Sequence, residues 1–233
     1  MSFRNAITND KWGKTSMTIT NKISRRSLLA ASAGMAATAT TASALAKLKA
    51  VTPANPEGPF YPKHQQVDKD ADLTLIEGHS ERAQGNVIRV TGQVLDDQGE
   101  PVEGALVDIW QANTHGRYHH EDDPNTAPRD PNFQGWGMVK TDAEGRYSFT
   151  TIKPGAYGVD EKWTRPPHIH YKVSRRGYQE ITTQMYFAGE ELNDSDALLQ
   201  NVAEESRDSL VVDFHEVDGL PSGHFPIVLA KAV

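Results

Sequence analysis

The sequence predicts an all-β protein, an antiparallel β-sandwich with long loops and an extended N-terminal arm. Three observations lead there. From Asn86 onward apolar and polar residues alternate, the period of a strand with one face in a core, as in Val87-Ile88-Arg89-Val90-Thr91-Gly92-Gln93-Val94-Leu95. The alternating runs are short and separated by turn-forming clusters such as Asp96-Asp97-Gln98-Gly99. Only Gly189 to Glu204 has a helical pattern, and that segment is brief.

The elements follow in order. Residues 1–46 read as an export signal of the twin-arginine type: Ser24-Arg25-Arg26-Ser27-Leu28-Leu29 enters a weakly apolar run rich in Ala, Thr and Gly that ends at Ala44-Leu45-Ala46. This places the working protein in the periplasm or outside the cell. Met17 is a second candidate start, leaving a compact charged region before the arginines. The run holds too much Thr and Ser to anchor stably in a bilayer. Residues 47–86 have little periodicity and much Pro, Asp, Lys and Gln, the composition of an arm laid over a domain, with two aromatics held between prolines in Pro56-Glu57-Gly58-Pro59-Phe60-Tyr61-Pro62. The sandwich occupies residues 87–233. After the first strand, Ala105 to Gln111, Trp136 to Lys140, Arg146 to Ile152, Pro167 to Ser174, Thr182 to Phe187, Leu210 to Phe214 and His224 to Leu229 read as strands. His115 to Gln134 is a long polar loop on this frame, a place where function collects.

Composition narrows the classes. The 233 residues contain no cysteine, which removes disulfides, thiolate metal sites and a cysteine nucleophile. The net charge is −7, and because six of the 24 basic residues and one of the 31 acids lie in residues 1–46, the remainder carries −12. An acidic chain with no basic stripe argues against nucleic acid or an anionic membrane as partner.

Chemistry concentrates in Arg165-Pro166-Pro167-His168-Ile169-His170. Alternate strand residues share a face, so His168 and His170 project together and can chelate one ion. Tyr118, in the long loop, and Tyr157, in Lys153-Pro154-Gly155-Ala156-Tyr157, complete four candidate ligands. Two phenolates with two imidazoles select a hard, highly charged ion, and Fe(III) suits them because its charge lowers the tyrosine pKa. Zinc more usually takes His with a carboxylate.

These residues, with Val107-Asp108-Ile109-Trp110-Gln111-Ala112-Asn113, Asp130-Pro131-Asn132-Phe133 and Thr183-Gln184-Met185-Tyr186-Phe187, resemble the intradiol ring-cleavage dioxygenases, the catechol and protocatechuate 3,4-dioxygenase group, from about Pro56 to Val228. The resemblance implies a non-haem Fe(III) held by Tyr118, Tyr157, His168 and His170. It implies that Tyr157 leaves the metal when substrate arrives, that Arg165 stabilises negative charge on the substrate ring, and that Gln184 stands beside it. Trp110 and Tyr61 are expected in the substrate pocket. The reaction implied consumes a catechol-type substrate and O2, cleaves the ring between its two hydroxyl-bearing carbons and gives a cis,cis-muconate-type product. Assembly as a homo-oligomer or with a second chain type is also implied. Gly158-Val159 stand where the protocatechuate enzymes carry a bulky aromatic, and the segment to Arg165 is shorter, which bears on substrate size.

A rival reading comes from another class. Gly92 to Ala105, Thr141 to Phe149 and the turn at Pro154-Gly155 also look like a prealbumin-like or carboxypeptidase-regulatory sandwich, a binding module without catalysis. That module accounts neither for the Arg-x-x-His-x-His group nor for the tyrosine-bearing loop. A cupin-like site is disfavoured because Ser174 and Arg175 stand where a cupin glutamate would. His119 and His120 are adjacent, so their side chains diverge, and both are expected to be solvated.

Overall fold

The computed structural model describes residues 50–64, 66 and 68–232. The export signal expected over residues 1–46 lies outside the described residues.

Two five-stranded sheets and a two-stranded ribbon account for the strands. The first sheet is organised by β1 (Val87–Asp96), the longest strand. It pairs antiparallel with β4 (Arg146–Ile152) along one edge. On its other edge it pairs with β11 (Leu220–His224) and then β12 (Ile227–Leu229), and β10 (Phe214–Val217) extends β11. The second sheet runs β3 (Trp136–Lys140), β2 (Leu106–Trp110), β7 (His168–Ser174), β8 (Ile181–Phe187) and β9 (Val211–Val212). The ribbon joins β5 (Tyr157–Gly158) to β6 (Thr164–Arg165).

The core lies between the sheets. Ile88, Val90 and Phe149 from the first meet Ile109, Ile169, Tyr171 and Met185 from the second, all buried. Tyr171 joins the layers through ring contacts with Phe149 and Phe225, and the Tyr147 hydroxyl donates to the Phe225 carbonyl at 2.6 Å. The all-β sandwich expected from the alternation is the observed architecture.

Several details differ from expectation. Three pairings, β1 with β11, β1 with β12 and β8 with β9, are parallel. Alternation reports which face is buried and carries no information on strand direction. The run expected as one strand over Leu210 to Phe214 serves both sheets, Val211–Val212 pairing with β8 and Phe214–Val217 with β11. The run from His224 to Leu229 is interrupted at Pro226, which has no N–H for a ladder. The helical segment consists of a 3-10 turn, Glu191–Ser195, and single helical turns at Ala197–Gln200 and Glu204–Arg207.

The described part of 50–86 contains no named strand and fastens across both sheets. The Thr52 N–H donates to the Val228 carbonyl at 3.1 Å, Asn55 N–H to Thr182 at 2.9 Å and Leu73 N–H to Thr150 at 2.9 Å. It covers the second sheet on the face away from the core, and that outer face carries the chemistry.

Candidate metal centre and pocket

Strand period places the two histidines. On β7, Ile169, Tyr171 and Val173 point into the core, so His168 and His170 occupy the opposite face. Register then sets their neighbours: Trp110 of β2 and Gln184 of β8 lie across from His170, and Tyr186 lies across from His168. A small second cluster, Trp110, Ala112, Tyr118 and Trp136 with Phe60, Tyr61 and Tyr157 against it, roofs this face.

The tyrosines arrive on loops that are themselves pinned. The Asn113 side chain accepts the N–H groups of His115 and Arg117, Asp123 accepts the Tyr118 N–H at 2.7 Å, and Arg117 donates to the Ala127 carbonyl at 2.6 Å. Tyr157 stands on β5 directly across from Arg165 on β6. The two tyrosine loops touch through glycines. A Cβ on Gly116, which has φ +76°, would lie 2.3 Å from the Ala156 carbonyl oxygen, and one on Gly155 would lie 2.5 Å from that of Thr114. No other residue allows this approach.

The four side chains converge. The Tyr118 hydroxyl is 3.2 Å from His168 Nε2 and 3.0 Å from His170 Nε2. The Tyr157 ring centroid is 5.6 Å from that of Tyr118 and 5.7 Å from that of His168. Tyr118, His168 and His170 are only 2–3% exposed, whereas Tyr157 is half-buried. His168 Nδ1 donates to the Pro166 carbonyl at 2.7 Å, which leaves the lone pair on Nε2, aimed at the Tyr118 oxygen.

Charge follows burial. Desolvation holds both imidazoles well below the usual histidine range, reinforced by the Arg165 charge and, for His170, by His168. Both imidazoles are neutral near pH 7. Burial pushes the Tyr118 phenol far up and raises that of Tyr157, against which the Arg165 guanidinium works. Neither phenol ionises near neutrality without a strong local cation.

This donor set fits a ferric ion. Donors that share one ion at about 2 Å lie about 3 Å apart, the spacing of the Tyr118 oxygen and the two Nε2 atoms. Both Nε2 atoms and the Tyr118 oxygen are buried and turned toward one another, and the opposite ring nitrogen of His170 is buried with no hydrogen-bond partner among the described residues. Among the described residues no group of three or more His, Asp or Glu gathers as a metal site, so the phenols define the chemistry.

A cavity of about 620 Å³ opens onto this group, with Tyr157, Arg165, His170 and Gln184 in its wall. Arg165 is buried and held from several sides. It donates to Gln184 Oε1 at 2.8 Å and to the Tyr186 hydroxyl at 3.0 Å, and its Nη1 is 3.1 Å from His168 Nε2. Asp196, fully buried, accepts from its Nη2 at 2.8 Å and its Nε at 3.3 Å. Asp196 also accepts from Trp163 Nε1 at 3.2 Å and caps the helical turn at Ala197.

Two expected pocket residues lie elsewhere. Trp110 is 1% exposed and stacks on His170 with ring centroids 4.8 Å apart, backing the imidazole and leaving the cavity wall to others. Tyr61 turns away because its hydroxyl donates to Asp108 Oδ2 at 2.6 Å while its ring meets the edge of Trp110. Burial and the Asp108 carboxylate keep its proton in place. His119 and His120 do not line the cavity; His119 is exposed as expected, but His120 is buried and not solvated, packed near Phe60 and accepting from the Asp122 N–H.

Asp196 and Tyr186 were not anticipated from sequence. Tyr186 was within reach of strand period, being two residues from Gln184. Asp196 sits in a polar run, Asn193-Asp194-Ser195-Asp196, that reads as surface.

A family model described as "Dioxygenase" matches residues 56–227. The chain belongs to this dioxygenase family. It is 44% identical over 179 residues to the protocatechuate 3,4-dioxygenase beta chain of Burkholderia cepacia, covering 73% of this chain and 76% of that one. It is 32% identical to catechol 1,2-dioxygenase 2 of Acinetobacter lwoffii, covering 69% of this chain and 58% of the other. Among solved structures, the dioxygenase domain of a dioxygenase and carbohydrate-binding protein fusion from Streptomyces sp. SirexAA-E superposes with a TM-score of 0.59 at 29% identity, covering 78% of this chain and all of that one. The non-catalytic binding module considered above is therefore disfavoured.

Proposed function

We propose that this chain is a non-haem Fe(III) intradiol dioxygenase that opens a catechol-type ring between its hydroxyl-bearing carbons with O2. The observation that carries the reading is the convergence of Tyr118, Tyr157, His168 and His170 beneath a cavity that Arg165 and Gln184 also face. Ferric iron bound there would accept the catechol oxygens and draw electron density from the ring, preparing it for O2.

The protein residues do the rest. His168 and His170, neutral and fixed on one strand, would hold the metal together with the buried Tyr118. Tyr157 is half-buried, the least enclosed of the four, on a two-residue strand at the cavity wall, and so would be suited to give way to substrate and take up one of its protons at Oη. Arg165 is held beside His168 with its charge directed to where the ring becomes electron-rich, and Asp196 keeps it there. Trp110 keeps water from the far face of His170.

The twin-arginine segment at Arg25-Arg26 supports export to the periplasm or beyond, a route that carries folded, metal-loaded proteins. The family resemblance supports assembly with further copies.

Oxygen uptake over catechol, hydroxyquinol and protocatechuate, with product masses, tests the function. At least one substrate is expected to give a ring-opened diacid that has gained both oxygen atoms. Iron-loaded protein that consumes no oxygen with any of them refutes the substrate class.

A further inference from the structure

We infer that the pocket selects uncharged, ring-substituted catechols and discriminates against those bearing a carboxylate; this rests on the ring-cleavage reading above. The cavity of about 620 Å³ falls within the roughly 300–1,000 Å³ of pockets that enclose drug-sized ligands, so it has room beyond a single ring. Pro59, Phe60, Val159 and Leu198 give it apolar walls suited to a substituent.

Its wall offers a substrate no free cation. Glu57, Asp122 and Asp123 line it, while Arg165 is the one lysine or arginine among its described lining residues. That guanidinium is held beside His168 by Asp196, Gln184 and Tyr186, at the end of the cavity where the reacting ring sits and not where a ring substituent would extend. The lysines that pair with Asp122 and Glu57, Lys63 and Lys172, do not line the cavity. Asp123 is fixed by the N–H groups of Tyr118 at 2.7 Å and Asn125 at 2.8 Å. A carboxylate on the substrate would lose water, meet the fixed Asp123 carboxylate and find both nearby lysines already paired with Asp122 and Glu57. An ester, alkyl or aryl group at the same ring position meets none of these penalties.

The test compares methyl 3,4-dihydroxybenzoate with 3,4-dihydroxybenzoate on the iron-loaded protein at pH 7, with catechol as reference. The acid is protocatechuate itself, the compound in the Burkholderia relative's name. Ester kcat/KM is expected to exceed that of the acid by about tenfold or more. Placing a cation on the exposed wall with Val159→Arg is expected to narrow that ratio by raising turnover of the acid. If catechol is cleaved but the acid matches or outperforms the ester, this inference falls and the function stands. A ratio that Val159→Arg leaves unchanged also overturns it, because charge is then not the cause. Loss of all turnover, catechol included, removes the function and the inference together.

Discussion

His168→Ala is expected to yield a folded, colourless protein that binds no stoichiometric iron and has no measurable ring cleavage. The imidazole is one of two neutral nitrogen donors, its Nε2 lone pair is directed by the Nδ1 bond to Pro166, and the nearest buried carboxylate on its Arg165 side, Asp196, is already held by that arginine. Loss of a direct ligand should exceed the roughly 10–100-fold that outer-sphere partners of metal ligands cost. The fold should survive because the core behind β7 is built by Ile169, Tyr171 and Val173. Metal analysis, visible absorption and far-UV circular dichroism check the three parts together. Full iron with full activity would remove His168 from the ligand set.

Arg165→Ala is expected to separate binding of the metal from turnover. Iron and colour should remain, while kcat falls by about 10²–10³-fold, the cost typical of removing one preorganised donor to developing negative charge. The variant carries a structural penalty of its own, because it strands Asp196, a fully buried carboxylate, without its partner. Breaking such a pair costs about 3–5 kcal/mol. The double variant Arg165→Ala with Asp196→Asn relieves that charge and should recover much of the lost thermal stability while leaving kcat low. Recovery of kcat along with stability would mean that Arg165 acts through the fold and not on the substrate.

The parts of this molecule that were legible in the sequence are those governed by short-range periodicity. Alternation located β1, β3 and β4, and the His-x-His spacing on β7 placed both imidazoles on one face. Strand direction was not legible, since β11, β12 and β9 reach their parallel partners through connections whose geometry leaves no mark on alternation. The ribbon that sets Tyr157 across from Arg165 has two residues per strand, too few for any periodic signal. Asp196 was invisible for another reason: it comes from a turn after the last ligand strand, and only tertiary packing buries it against Arg165. Trp110 and Tyr61 were expected in the pocket from the family resemblance, since on an alternating strand Trp110 reads by default as core. Stacking on His170 and the bond to Asp108 decide their actual places.

Two phenol oxygens and two imidazole nitrogens are expected to hold one ferric ion. The visible absorption spectrum of purified, iron-reconstituted protein tests this most directly. A broad phenolate-to-iron charge-transfer band at one iron per chain, shifting when catechol is added without O2 as Tyr157 gives way, is the result expected. A protein with one iron per chain and no such band would contradict it, because the tyrosines would then not be ligands.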